Sequence, residues 1–491
     1  MERAAGRPVT ASGEIGRSGD ALPLAAVAAG EAGLLLAGFF FVTPLVSCAL
    51  ALGALFLLLA FRFPDLAWAL TFAAVPLSVE RVLPFGAISI PSEPMVALAL
   101  AGWGLRALFT GSFQVRPSRL HAPLAVLAAI ALLSVVLGSY RVAGLKAWVV
   151  SAAYVAFGFL YFAATDCSGA RRDRWIRLIA CVGAVWGAYG AAHVLILGVG
   201  ARSAYGAARP FFVEHGTYSA FLGMLMPVPL LEAMERRGTA RLGFALAFLA
   251  IALGLALSFA RAAWIACALV LPITLALWAA HRRAWRRLLV PVVLIAGVAA
   301  ALSFVGAGQR LERHLRTVVD AENVSNLERV NRWMAAWEMA KDRPWIGVGY
   351  GGYPDAYLQY RHKSLATEQS YGHFGAHSEV LRLLSETGVP GLAAALWFLA
   401  AAGAAGLRAF RRAIDPAAGR LALALLAGLA TYAVHALFNS YLGIDKITAP
   451  FWMGLGALAA LAPVREAGRL PGIAWARDSR SRPSRLRVVA R

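Results

Sequence analysis

The chain has 491 residues, 60% of them hydrophobic and only 15% charged, with a formal net charge of +21. So few charges cannot cover the surface of a soluble globule of this length, for which roughly 25% is usual. The basic excess does not indicate nucleic acid either. The arginines stand in short clusters between apolar stretches, without the aromatic-interleaved basic surface that such a partner requires.

In chain order, residues 1–21 form a polar, weakly basic segment expected in the cytoplasm. The apolar stretch after it runs almost directly into a second, as an uncleaved signal anchor would. Apolar segments long enough to cross hydrocarbon as helices are predicted at 22–42, 44–61, 64–83, 93–110, 122–140, 144–164, 175–199, 216–232, 241–260, 262–280, 288–306, 390–408, 420–439 and 448–463. The expected fold is therefore all-α, a polytopic membrane bundle of about 12–14 transmembrane helices. Its divisions are transmembrane helices over 22–305, a small helical periplasmic cap and catalytic loop at 306–389, C-terminal spans over 390–463, and a disordered basic cytoplasmic tail at 464–491. Cys48, Cys167, Cys181 and Cys267 lie in or beside predicted spans, in no metal-ligand or disulfide spacing.

Alternate loops carry the arginines: Arg106, Arg116 and Arg119, then Arg171 to Arg177, Arg236 to Arg241, Arg282 to Arg287, and Arg408 to Arg420. With the N-terminus inside, the larger part of the 47 Lys and Arg residues falls on one face, as positive-inside topology requires. That parity puts the loop following residue 305 outside. Its basic and acidic residues nearly balance, so it reads as a folded cap.

Within the cap, an amphipathic helix is expected from Glu328 to Ala340, with Trp333, Trp337 and Ala340 on one face, stopping at Pro344. Gly347, Gly349, Gly351 and Gly352 read as a flexible turn. A second helix is expected to begin near His377 and to end at Gly388, before Pro390 opens the next span.

Four outward features carry chemistry. Arg261 stands at a tight turn between two spans, and such a guanidinium wants an anion, although interface anchoring is the commoner role. Arg329 lies one turn before Trp333, where local pairing with Glu328 or Asn326 is the plain alternative. His377, at a helix start, can take a proton from a hydroxyl, or can simply be polar surface. Arg209 lies in another outer loop, close in sequence to Glu214, which would neutralise it, and to His215. Asp445 and Lys446 are expected to pair with each other. There is no Walker loop, no GxSxG, no HExxH and no Asp-x-Asp. Paired guanidiniums can nonetheless hold a diphosphate bidentately and stabilise it as a leaving group, with no metal and no cofactor.

The run from Arg329 through Trp333, Pro344, Gly347, Gly349 and Tyr353, followed by His377 through Glu386 to Gly391, resembles the signature region of the O-antigen ligase and polymerase family. Ser258 to Trp264 resembles that family's arginine turn. The resemblance covers roughly residues 205–460 and implies a metal-independent, inverting glycosyltransferase of the bacterial inner membrane, working on the periplasmic face. It also implies a polyprenyl-diphosphate-linked glycan as donor, a lipid or glycan acceptor, and no nucleic acid partner. On the matching positions, Arg261 and Arg329 would bind the donor diphosphate and His377 would be the general base. Arg209 and His215 are further candidate substrate contacts. The chain departs from the family pattern at Ser378, where Asn commonly follows the His, and at His215, where Asn is often found. The alternative class is a membrane transporter or lipid flippase, which usually carries charged or broken helices at mid-membrane. A structural scaffold would present no outer-face pocket.

Overall fold

In the computed structural model, Gly33 and residues 44–83, 86–111, 115–310, 324–367 and 375–462 are described. The segments expected at 1–21 and 22–42 and the tail at 464–491 lie outside them, apart from Gly33. The described chain is a helical bundle. It runs through α1 (Pro44–Arg62), α2 (Pro64–Ala74), α3 (Ser92–Thr110), α4 (His121–Leu137), α5 (Arg141–Tyr154) and α6 (Tyr161–Ala164). It continues with α7 (Gly169–Leu197), α8 (Ala201–Tyr205), α9 (His215–Leu225), α10 (Pro227–Glu235), α11 (Gly238–Leu257), α12 (Arg261–Arg282) and α13 (Leu289–Phe304). The cap supplies α14 (Val324–Asp342) and α15 (Tyr353–Tyr360), and α16 (Glu379–Arg412), α17 (Pro416–His435) and α18 (Asp445–Leu461) complete the bundle. Among the described residues, eight helices are long and apolar enough to cross a membrane, and shorter apolar helices stand beside them. The protein is a multi-pass membrane protein.

One expected span is corrected. The segment at 64–83 ends its helix near Pro76, which cannot continue the backbone hydrogen-bond ladder, and residues after it form strand β1 (Val79–Leu83). It pairs antiparallel with β2 (Gly86–Ile90), with Val79 opposite Ile90.

Burial sorts the helices by position. The tandem helices α9 and α10 are enclosed on every side, from Gly216 to Met234. By contrast α13 keeps only Pro291 and Leu294 buried, while Leu289, Val292, Val293 and Ile295 point outward, as a lipid-facing helix does.

Charged groups divide between the two ends. At one end Arg171 binds Asp65 at 2.8 Å, Arg236 binds Glu232 at 2.7 Å, Arg420 binds the same Glu232 at 2.5 Å, and Arg287 binds Glu235 at 2.6 Å. Arg172 pairs with Asp415 there as well. The cap lies at the opposite end, because α12 starts at Arg261 beneath the cap and ends at Arg282 beside Glu235, about 33 Å further along at 1.5 Å per residue.

Candidate active site

The arginine turn is built by its own side chains. Ser258 bonds the Leu255 carbonyl at 2.6 Å and accepts from the Ala260 amide at 3.3 Å, while the Trp264 indole donates to the same Leu255 carbonyl at 3.1 Å. Phe259 closes the turn at φ 53°, an uncommon angle for a bulky residue. The result is that Arg261 opens helix α12. A cation there opposes the helix dipole, whose N-terminal end is positive and favours anions.

The cap brings the second arginine to it. Arg261 Nη2 donates to Asn326 Oδ1 at 3.3 Å, and Arg329 Nη1 approaches the same oxygen at 3.5 Å. Two guanidiniums from different elements thus gather on one amide carbonyl. Burial first, and the Arg261 charge second, push the Arg329 guanidinium below its ordinary value. Its Nε is buried without a partner, and it has no ion pair among the described residues.

Glu328 does not neutralise Arg329; it pairs with Arg332 at 3.3 Å. Arg332 is a structural cation: it is buried, donates to the Gly375 carbonyl at 3.2 Å, and lies 5.1 Å over the Tyr357 ring. The buried face of α14 is therefore Asn331, Arg332, Ala335, Ala336 and Met339, packed on Tyr353, Tyr357 and Ala376. The stripe expected through Trp333 and Trp337 is not that face, since Trp337 is 53% exposed. Trp333 instead donates its indole N–H to the His377 carbonyl at 3.1 Å.

His377 precedes α16 in the left-handed region at φ 51°. Ser378 then accepts from the Leu381 amide and caps the helix. The departure from Asn at 378 thus retains a helix-capping side chain. The His377 ring is hydrogen-bonded to the Asn439 side chain and has Arg332 and Arg329 as charged neighbours. Burial, with those two guanidiniums, pushes the imidazole down to about 4. It is therefore neutral near pH 7, the form that can accept a proton.

Behind it, the Tyr441 hydroxyl lies 3.2 Å from both Asn439 Oδ1 and Glu214 Oε2, so a polar chain links Glu214 to His377. His215, next to Glu214, donates from Nδ1 to the Ser258 carbonyl at 2.9 Å and packs on Tyr205 with ring centroids 4.1 Å apart. It is thereby fastened to the arginine turn. Arg209 is not gathered in: it stays exposed, and Tyr441 rather than Arg209 takes Glu214. Asp445 and Lys446 do pair, at 3.3 Å, and Ser92 adds a hydrogen bond of 2.5 Å to Asp445.

The glycine turn is held rather than loose. Gly347, Gly349 and Gly351 adopt φ of 72°, 116° and 73°. Val348 and Gly349 amides donate to the Ser385 and Glu386 carbonyls at 2.9 and 3.2 Å. A Cβ on Gly347 would meet the Glu386 carbonyl carbon at 2.3 Å, so only glycine allows this approach. Arg382 adds bonds of 2.6 Å to Glu379 and 2.7 Å to Glu386, whose Oε1 accepts the Tyr353 amide at 3.3 Å. The His377 helix is thus locked to the cap. Gly388, at φ 68°, breaks α16 where the sequence places a stop.

Asn439 and Tyr441 were not legible as site residues, because each reaches the site through a contact distant in sequence, and Asn326 was legible only as a local partner of Arg329. A cavity lined by Phe162, Trp175, Met224, Leu425 and Met453 lies elsewhere in the bundle and touches none of these groups.

The fold and site together define a multi-pass helical membrane protein with two guanidiniums and a neutral imidazole assembled under a cap at one end. Residues 246–396 match the family model described as O-antigen ligase, from the helix before the arginine turn into the His377 helix. No curated protein matches the chain. In general terms the match supports glycosyl transfer at a membrane, of the O-antigen ligase or polymerase type.

Proposed function

We propose that this protein transfers a glycan from a polyprenyl-diphosphate donor to a hydroxyl of a lipid or glycan acceptor, with inversion at the anomeric carbon. The observation that carries the reading is the sharing of Asn326 by Arg261 and Arg329, with His377 beside Arg329. Arg261 and Arg329 bind the donor diphosphate, which offsets the repulsion of two neighbouring half-buried cations and uses the positive helix end. His377 takes the proton of the acceptor hydroxyl as its oxygen attacks the anomeric carbon. The glycosidic C–O bond breaks in the same displacement, the electron pair leaves with the polyprenyl diphosphate, and the guanidiniums stabilise that charge. His215 holds the arginine turn, and Arg209, exposed in the loop that precedes it, is a candidate contact for the more distant sugars.

The cap belongs on the periplasmic face of the inner membrane in this reading, because the arginine-rich end opposite it has the positive-inside signature. The test is transfer from purified lipid-linked donor by wild type and His377→Ala in proteoliposomes. Loss of turnover with retained folding is expected. Near-normal turnover removes the base, and flipping that survives replacement of both Arg261 and Arg329 would favour a transporter.

A further inference from the structure

Beside Arg329 lies a titratable side chain that the transfer chemistry above leaves idle. His435 is the last residue of α17 and is 1% exposed, yet neither ring nitrogen has a hydrogen-bond partner among the described residues. Buried imidazoles are ordinarily satisfied on at least one side. Its charged neighbours are Arg329 and His215, and its ring lies 5.7 Å from that of Tyr441. The Glu379 amide donates to the carbonyl of the adjoining Ala436 at 2.8 Å, which pins the end of α17 beneath the His377 turn. Arg329 Nε, from the cap side, is also buried and unpartnered. Two buried polar groups on different elements, the His435 ring and Arg329 Nε, are thus electrostatic neighbours, and these nitrogens have no hydrogen-bond partner among the described residues. An anion bearing several oxygens satisfies both at once.

We propose that His435 is a substrate-contacting residue, whose ring N–H donates to an oxygen of the donor's diphosphate group at the inner end of the site. Arg329 Nε holds the same group from above. The inference rests on the glycosyl-transfer reading and extends it by a third ligand for the leaving group. Negative charge grows on that diphosphate as the glycosidic bond breaks, and a donor screened from water stabilises it more strongly than one in solvent.

The experiment measures binding of glycan-free polyprenyl diphosphate to detergent-purified wild type, His435→Gln, His435→Ala and Arg329→Met, with thermal unfolding recorded for each. A tenfold or greater loss of affinity in His435→Gln, with unfolding as in wild type, is the expected result. If His435→Gln binds as tightly as wild type while Arg329→Met does not, this contact is refuted and the glycosyl-transfer reading stands. If wild type itself does not bind the lipid, the glycosyl-transfer reading fails first and this inference falls with it. Should both His435 variants fail to fold, histidine NMR of wild type titrated with inorganic pyrophosphate decides. A shifted resonance for the buried imidazole supports the contact, and an unshifted one overturns it.

Discussion

The indole of Trp333 is hydrogen-bonded to the backbone carbonyl of His377 at 3.1 Å, so the helix that carries Arg329 also holds the turn that aims the imidazole. The arginine and the histidine are thereby set by one contact across the cap. Replacement of Trp333 by Phe should preserve packing but release the turn. A fall in kcat with little change in donor KM is expected, and an unchanged kcat would separate the two elements.

His377 should act as a neutral base over an unusually wide acid range. Its pKa is depressed to about 4 from an ordinary 6.5, so the deprotonated form persists until the pH nears 4. kcat/KM should therefore stay level from pH 7 to about 5 and fall only as the free enzyme's imidazole gains its proton. The unfolded chain takes up this proton first, so the associated folding penalty is absent above pH 6.5 and grows as pH drops toward 4. His377→Ala should lower turnover about 10²- to 10⁴-fold, the usual range for a positioned general base.

Lysine should not replace either arginine. Arg261→Lys and Arg329→Lys keep the charge but lose the planar pair of donors, and each should raise donor KM about 10- to 100-fold, the range for lost hydrogen bonds to a charged group. Steady-state kinetics with lipid-linked donor checks this, and full activity in both variants would refute diphosphate binding here.

Asn326→Asp makes a sharper distinction. A carboxylate placed where Arg261 and Arg329 meet would pair with both and compete with the diphosphate. The variant should unfold at a higher temperature than wild type and bind donor more weakly, with opposite signs in the two measurements.

Arg420→Met should destabilise the protein without altering donor affinity. It leaves Glu232 buried with only Arg236, so the loss should fall below the roughly 3–5 kcal/mol of a buried charge left with no partner. Thermal unfolding in detergent reads the loss.

Much of this arrangement was legible in the sequence because it is written locally. The arginine turn, the arginine helix, the stop at Gly388 and the apolar spans each have short-range signatures. The hairpin was missed because Val79 and Val82 extend an apolar count, although Glu80, Arg81 and the Pro84 and Gly86 punctuation argue for strands and a turn. The glycine turn was misread for a different reason. A glycine that frees a loop and one that admits a close carbonyl look alike until the Glu386 backbone is beside Gly347. Asn439 and Tyr441 carry no local mark, since their importance comes from Glu214 and His377.

The break at Gly388 has a geometric consequence. From Val389 to Arg412 the helix measures about 36 Å, a membrane thickness, while Glu379 to Thr387 adds about 13 Å at 1.5 Å per residue. The shorter piece is a post of fixed height. Lengthening or shortening it by one turn would lift or sink the imidazole relative to the lipid headgroups, so the distance from bilayer to chemistry is counted out in residues.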